Sequence, residues 1–425
     1  MQHSDAMGLH RTPVTWAIYG VNGAWASFIY LSGPVSPVLA EDLGMSLASA
    51  GLTGTALAAG ITTASVTAPR AVRRLGRDGT TRAGMVVVIA GLAAMVLVPL
   101  VVSGSVAFAS ILGLIWISAT GGGTVLNAST ARLSDLHPLQ SARAITEANA
   151  TAAWVGLLSP LLLGVALGAG LGWQAGIGVC LIAAVAALVG LVVADRIESR
   201  QEPAGSAAED SAELPVQQAL EPVYEPDPVT PPTGTGLPRV FWWAMLALFA
   251  AVATEFSINY WGSTLIEQQT GSTASAATSA MAASVAGVAV GRTIGSGLTV
   301  RLGSHRMLIG GFVVALAGFG ILWTATTLGL AVVGLFVAGL GIATLFPLIL
   351  DRGIVLSAGN PDLAMSRASL VLGLAIGSAP FALGALGSVM SVSSALLLVP
   401  VIVVVGLGGV LASRPPTIRL PAEAH

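Results

Sequence analysis

Pro69-Arg70-Ala71-Val72-Arg73-Arg74-Leu75-Gly76-Arg77 is a dense basic stretch set between two long apolar runs, 46–68 and 83–102. Arginine at the centre of a bilayer costs about 2.5–3.5 kcal/mol on insertion scales, so four of them within nine residues mark a membrane surface. The runs on either side then read as membrane spans. The core of the stretch returns 227 residues later as Arg301-Leu302-Gly303, again directly after an apolar run.

Outward from these two turns, a span needs about 20 apolar residues to cross ~30 Å of hydrocarbon. Twelve stretches qualify: 14–40, 46–68, 83–102, 106–130, 142–166, 173–194, 239–265, 275–298, 307–326, 329–351, 367–388 and 391–412. The composition agrees. Hydrophobic residues make up 54% of the 425, only 9% are charged, and mean hydropathy is +0.85. A soluble domain carries roughly 25% charged residues. The run at 14–40 is too long for the core of a signal peptide and is expected to stay as the first span.

The charges orient the spans. All 18 basic residues are arginine. With both termini placed on the cytoplasmic side of a plasma (inner) membrane, Arg11, the 70–82 cluster, Arg132, Arg143, Arg196, Arg200, Arg239, Arg292, Arg301, Arg306, Arg352, Arg367, Arg414 and Arg419 all fall inside. The outer loops then hold Glu41, Asp42 and Glu267. Positive charge on the inner side is the rule for polytopic proteins. The chain therefore reads as an all-α integral membrane protein with twelve transmembrane helices in two six-helix bundles, 1–194 and 239–425. Between them, 195–238 holds eight prolines and nine acidic residues without an apolar period. It reads as a flexible acidic, proline-rich cytoplasmic linker.

Several function classes are excluded. Without lysine there is no Walker A loop and no lysine Schiff base. The net charge of −2 points to no nucleic acid. The five histidines lie at the termini and in inner loops, and Cys180 stands alone, so neither a metal site nor a bound cofactor is expected. No catalytic cluster appears, which argues against an enzyme.

The halves echo each other. Gly60 matches Gly287 at the same 227-residue offset. Arg143 and Arg367 open helices 5 and 11, and both helices carry Pro-x-x-x-Gly, at Pro160–Gly164 and Pro380–Gly384. Parallel repeats of six spans place a substrate site between the halves at mid-depth.

Twelve spans, a central linker and Arg-Leu-Gly after helices 2 and 8 resemble the major facilitator superfamily. That family's loop between helices 2 and 3 runs Gly-x-Leu-Ala-Asp-Arg-x-Gly-Arg-Arg. Here Arg74, Gly76 and Arg77 match, while Arg73 stands in place of the aspartate and Pro69 in place of the first glycine. Gly156-x-x-Ser159-Pro160-x-x-x-Gly164 is similar to the antiporter motif of helix 5, with serine where the motif has glycine. Gly341-Ile342-Ala343-Thr344-Leu345-Phe346-Pro347 looks like a stretch of sugar-porter branches. The resemblance implies a monomeric carrier working by alternating access. It makes Arg74, Gly76, Arg77, Arg143, Arg301, Gly303, Arg367 and Pro160 candidate gating residues.

Intramembrane acids are functional candidates. Glu255 lies sixteen residues beyond Arg239, about 24 Å along helix 7. Desolvation favours the neutral form of a carboxyl, so an acid there can hold a proton and exchange it when its surroundings change. Structural bonding to Asn259, one turn on, is the alternative. Glu147, one turn from Arg143, reads first as an ion pair and second as a coupling or gate residue. Tyr19, Asn22 and Tyr30 share a stripe of helix 1 that should face a cavity. With Trp25, Trp154, Asn259, Tyr260 and Trp261 they form the candidate substrate site. Asn127 and Asn149 are expected to bond between helices. The expected function is proton-coupled transport of a small organic solute. Export by antiport is favoured by the helix 5 motif and by the lack of arginine in the cavity. Symport of a sugar-like nutrient is the alternative.

Overall fold

The computed structural model describes residues 9–138, 140–201 and 237–414. Regular structure among these residues is helical, with no strand. The first span, α1, is Pro13–Asp42. Leu47–Leu97 is broken only at Gly76 (φ 70°, ψ 176°), which separates α2 (47–75) from α3 (77–97). Then follow α4 (Gly104–Leu136), α5 (Ser141–Gly156 continued by Leu158–Gly168) and α6 (Gly172–Gln201). The second half has α7 (Arg239–Thr270), α8 (Ala274–Ala280 with Ala282–Leu302) and α9 (Ser304–Trp323). It ends with α10 (Leu328–Ile342 with Leu345–Val355), α11 (Pro361–Val389) and α12 (Val392–Ala395 with Leu398–Ala412).

Ten helices among the described residues are long and apolar enough to cross a membrane. One of them, Leu47–Leu100, contains both α2 and α3, and the more polar α1 stands outside the ten. Together they supply the twelve expected spans of a multi-pass membrane protein. Val101, Val300 and Val389 stand more than four-fifths exposed, as side chains facing lipid do. The most apolar window of α6 is only 28% buried, whereas that of α7 is 72% buried. The α6 helix is thus a peripheral, lipid-facing element, and α7 a central one.

Proline explains three of the four interruptions. The breaks in α5, α10 and α12 fall at or beside Gly156, Ala343 and Leu396, each four residues before Pro160, Pro347 and Pro400. A proline has no N–H for the carbonyl four residues back and its ring crowds that carbonyl, so the ladder opens there. The break at Met281 in α8 has no such proline. At the end of the first half, α6 continues through Gln201, seven residues past the boundary expected at 194. The rest of the expected linker, 202–236, lies outside the described residues.

The internal repeat is built into the backbone. Gly303 (φ 80°, ψ 147°) ends α8 in nearly the conformation that Gly76 takes after α2. Positive φ with extended ψ is a region that only glycine enters readily. A Cβ on Gly60 would strike Ala119 and the Trp116 carbonyl of α4, and one on Gly287 would strike the Phe336 carbonyl of α10. Each glycine therefore seats its helix on the equivalent neighbour. Arg132, at the end of α4, is tied to Asp195 of α6 at 2.7 Å. Arg352, at the end of α10, donates to the Val410 carbonyl of α12 at 3.1 Å. The second half keeps the arginine and replaces the acid by a helix terminus.

Gly76→Ala and Gly303→Ala should each lower stability by about 1–3 kcal/mol through backbone strain, although neither position is crowded. Gly297→Ala, in open space within α8, should be neutral or mildly stabilising. Thermal unfolding of the three purified variants in one detergent tests this. Equal losses at all three positions would refute the strain argument.

Candidate functional site

The two halves meet along three helix pairs, and at each the contact is backbone against backbone. Between α2 and α11, a Cβ on Gly51 would lie 2.6 Å from Phe381 Cα and 2.7 Å from the Pro380 carbonyl. Thr55 Oγ1 donates to the Gly377 carbonyl at 2.8 Å. Between α5 and α8, Ser275 Oγ donates to the Gly164 carbonyl at 2.7 Å. Between α1 and α7, Gly33 lies against Asn259, and Tyr260 donates to Ser32 Oγ at 3.3 Å. All three seams lie toward the face that carries Glu41, Asp42 and Glu267. Small residues let helices approach this closely in lipid, where no hydrophobic force drives them together.

Toward the opposite, arginine-rich face the halves part. There a cavity of about 410 Å³ lies between Thr146 and Asn149 of α5, Arg292, Gly295 and Thr299 of α8, and Ala343, Thr344, Phe346, Pro347 and Leu348 of α10. Every ion pair among the described residues lies within the first half. Arg11 grips Glu147 at 2.8 and 2.9 Å, and Arg143 reaches the same carboxylate at 3.3 Å. Arg77 pairs with Asp135, and Arg132 bridges Asp78 and Asp195. None of these ties the halves together on the arginine-rich face. This conformation is closed on the acidic side and open on the arginine-rich side.

Glu255 sits at the closed end. With Tyr30, Pro34, Pro160, Asn259, Met281, Ser284, Val285 and Val288 it lines a small niche where α1, α5, α7 and α8 converge. Val288 of the niche is one turn of α8 from Arg292 of the cavity wall. The Arg292 guanidinium interacts with the Tyr30 hydroxyl and attracts the Glu255 carboxylate. Acid and base thus lie on different helices of the second half, within electrostatic reach of each other but not in an ion pair, and a tyrosine from the other half interacts with the same arginine. Asn259 Oδ1 has no hydrogen-bond partner and lies against Gly33.

The other sequence candidates scatter. Asn22 is buried in the first half and accepts from Ser129 Oγ at 2.8 Å. Tyr19 donates to Glu147 at 3.3 Å. Trp25 packs on Gly122 and Phe28 within the first bundle. Trp261 donates to the Pro380 carbonyl at 3.0 Å and packs against Gly384, within the second bundle, while Tyr260 stacks on Phe256 and reaches Ser32 in the α1–α7 seam. Trp154 is 46% exposed and lines neither cavity nor niche. Arg74, Gly76, Arg301, Gly303 and Arg367 are exposed on the arginine-rich face. Pro160 is buried and lines the niche, while Asn149 lines the cavity rather than bonding between helices.

Arg292 was missed. The charge pattern assigns it to the inner surface with Arg301, yet it lies nine residues earlier on the same helix, about 13.5 Å deeper. That spacing was the available signal. A surface cluster does not extend 13.5 Å along a helix axis, so the expectation of a cavity without arginine does not hold.

Similar proteins place the architecture. Residues 20–352 match the profile of the Major Facilitator Superfamily. No curated protein matches the chain in sequence. Among solved structures, a peptide transporter, POT, is similar at 12% identity, with 93% of each chain covered and a TM-score of 0.70. A D-xylose–proton symporter is similar at 12% identity and TM-score 0.68, covering 94% of this chain and 96% of that one. The E. coli fucose:proton symporter FucP follows at 15% identity and TM-score 0.58, covering 94% and 98%. Family match, twelve spans and two bundles meeting around a central cavity agree: the chain belongs to the Major Facilitator Superfamily, whose members are transporters.

Proposed function

We propose that the protein is a proton-coupled secondary transporter of a small organic solute. It works by alternating access, with the arginine-rich face in the cytoplasm, residues 195–238 tethering the two bundles and the monomer as the working unit. The observation that carries the reading is Glu255 sharing a niche with Tyr30, within electrostatic reach of Arg292, at the closed end of a cavity that opens to one side. Ionised, Glu255 attracts Arg292 and helps hold α7 to α8. Protonated, it releases the guanidinium. A change of proton occupancy therefore changes what the cavity wall offers to solute, which is the requirement for coupling.

The geometry also bears on direction. A cationic solute competing with the proton for Glu255 would give antiport, but Arg292 sits beside that carboxylate and repels cations. A solute that needs Arg292 binds when Glu255 is protonated, so proton and solute travel together. This favours the symport alternative over the export suggested by the Pro160–Gly164 motif. The fucose and xylose transporters of the same fold are proton symporters by name. The Glu147 cluster with Arg11, Arg143 and Tyr19 lies wholly within the first half and serves as structural bracing. The chemistry is displacement of solute and proton, without covalent change.

In proteoliposomes, solute should drive a pH change with the parent protein, and Glu255→Gln should bind solute yet move no proton. Coupled proton movement retained in Glu255→Gln would remove the carboxyl from the mechanism. The sign of the pH change separates symport from antiport. Rocking has its own test at the α2–α11 seam. A Cβ on Gly377 would lie 3.6 Å from Thr55 Cα, and the native Cys180 is buried. A Thr55→Cys/Gly377→Cys pair should therefore oxidise, lock the acidic side shut and abolish transport until reduced. Full transport by the cross-linked form would refute alternating access through this seam.

A further inference from the structure

We infer that the transported solute carries a carboxylate, or a comparable singly charged oxyanion, which Arg292 takes in the cavity. The inference rests on the proposed transport function and deepens it. Arg292 is the charged residue of the cavity wall among the described residues, and the groups around it supply hydrogen-bond donors rather than acids. Asn149 offers an amide from across the halves, Thr299 and Thr344 offer hydroxyls, and the guanidinium offers a planar fork that matches an oxyanion in two-point geometry. Phe346 and Leu348 add an apolar wall for the remainder of the solute. A volume of about 410 Å³ lies near the small end of ligand sites, which suits a single ring or a short chain.

The surroundings of Arg292 reinforce the assignment. Glu255 and Tyr30 are the titratable groups that interact with it. An internal carboxylate already facing this guanidinium marks where an external carboxylate gains most. The solute's anion replaces Glu255 as the counter-charge once Glu255 takes up a proton. The arginine is then neutralised both in the empty carrier and in the loaded one. A neutral solute would leave it beside a protonated acid and offer it no counter-charge.

The test uses the full-length protein purified in detergent and solutes matched in skeleton but differing in charge: benzoate, benzamide and benzylammonium, and hexanoate, hexanamide and hexylammonium. Thermal stabilisation is read for each. Carboxylates should stabilise the parent and their amides should not. The effect should strengthen as pH falls and lose that pH dependence in Glu255→Gln. Arg292→Gln should weaken carboxylate binding about tenfold or more, and Arg292→Lys, which keeps the charge, should retain part of it. Three results would overturn the inference: amides or ammonium compounds stabilising as well as carboxylates, carboxylate binding unchanged in Arg292→Gln, or no carboxylate stabilising at any pH. Should Arg292→Gln fold poorly, the Lys variant and the charge series of the parent still decide. A carboxylate that binds through Arg292 but drives no pH change in proteoliposomes leaves the anion site standing and removes the proton coupling instead.

Discussion

Close backbone contact between small residues holds the halves together, and the working of the molecule depends on it. In hydrocarbon, apolar side chains gain nothing by leaving lipid for a neighbouring helix, so association rests on packing at short range. Gly51, Gly54 and Gly164 bring α2 onto α11 and α5 onto α8 until carbonyls touch the facing chain. Few hydrogen bonds cross these seams, and they end on backbone carbonyls or hydroxyls. Such a seam can open without stranding a charge. The ion pairs among the described residues lie instead inside the first half, where they brace one bundle.

Duplication supplies the rest of the geometry. Because α2 and α8 are equivalent, as are α5 and α11, the two seams α2–α11 and α5–α8 are related by exchange of the halves. Both Pro-x-x-x-Gly motifs lie in them. Gly164 meets Ser275 and Ser279, and Gly384 meets Leu47 and Trp261. Two like contacts related in this way are the pivot that the proposed alternating access requires, with the halves tilting about an axis between them.

The functional centre breaks this symmetry. Glu255 and Arg292 both belong to the second half, and the first half contributes Tyr30 and Asn149. Acid and base on one side of a symmetric interface make the two halves chemically unlike. In the proposed mechanism the second half would exchange the proton, and the first would supply the surface against which the site closes.

Twelve spans, their orientation relative to one another, the two halves and the glycine turns at Gly76 and Gly303 were legible along the chain, because each follows from local rules. Hydrocarbon demands length and apolarity, arginine is kept to one surface, and positive φ demands glycine. The interruptions of α5, α10 and α12 beside Pro160, Pro347 and Pro400 were not legible in this way, since Pro34, Pro37 and Pro380 sit in helices that continue unbroken. Glu255 did stand out by a local rule, as a charge where charge is expensive. What surrounds Glu255 was not legible. Trp25 and Trp261 have the chemistry of a binding site but point into their own bundles, and Arg292 looks like a surface charge but lies in the cavity. Azimuth around a helix and depth along it depend on which helices pack against which, and those contacts join residues from 37 positions apart (Glu255 and Arg292) to 262 (Tyr30 and Arg292). Only the tertiary structure could decide that Arg292, Tyr30 and Glu255 meet, because no local rule acts across that distance.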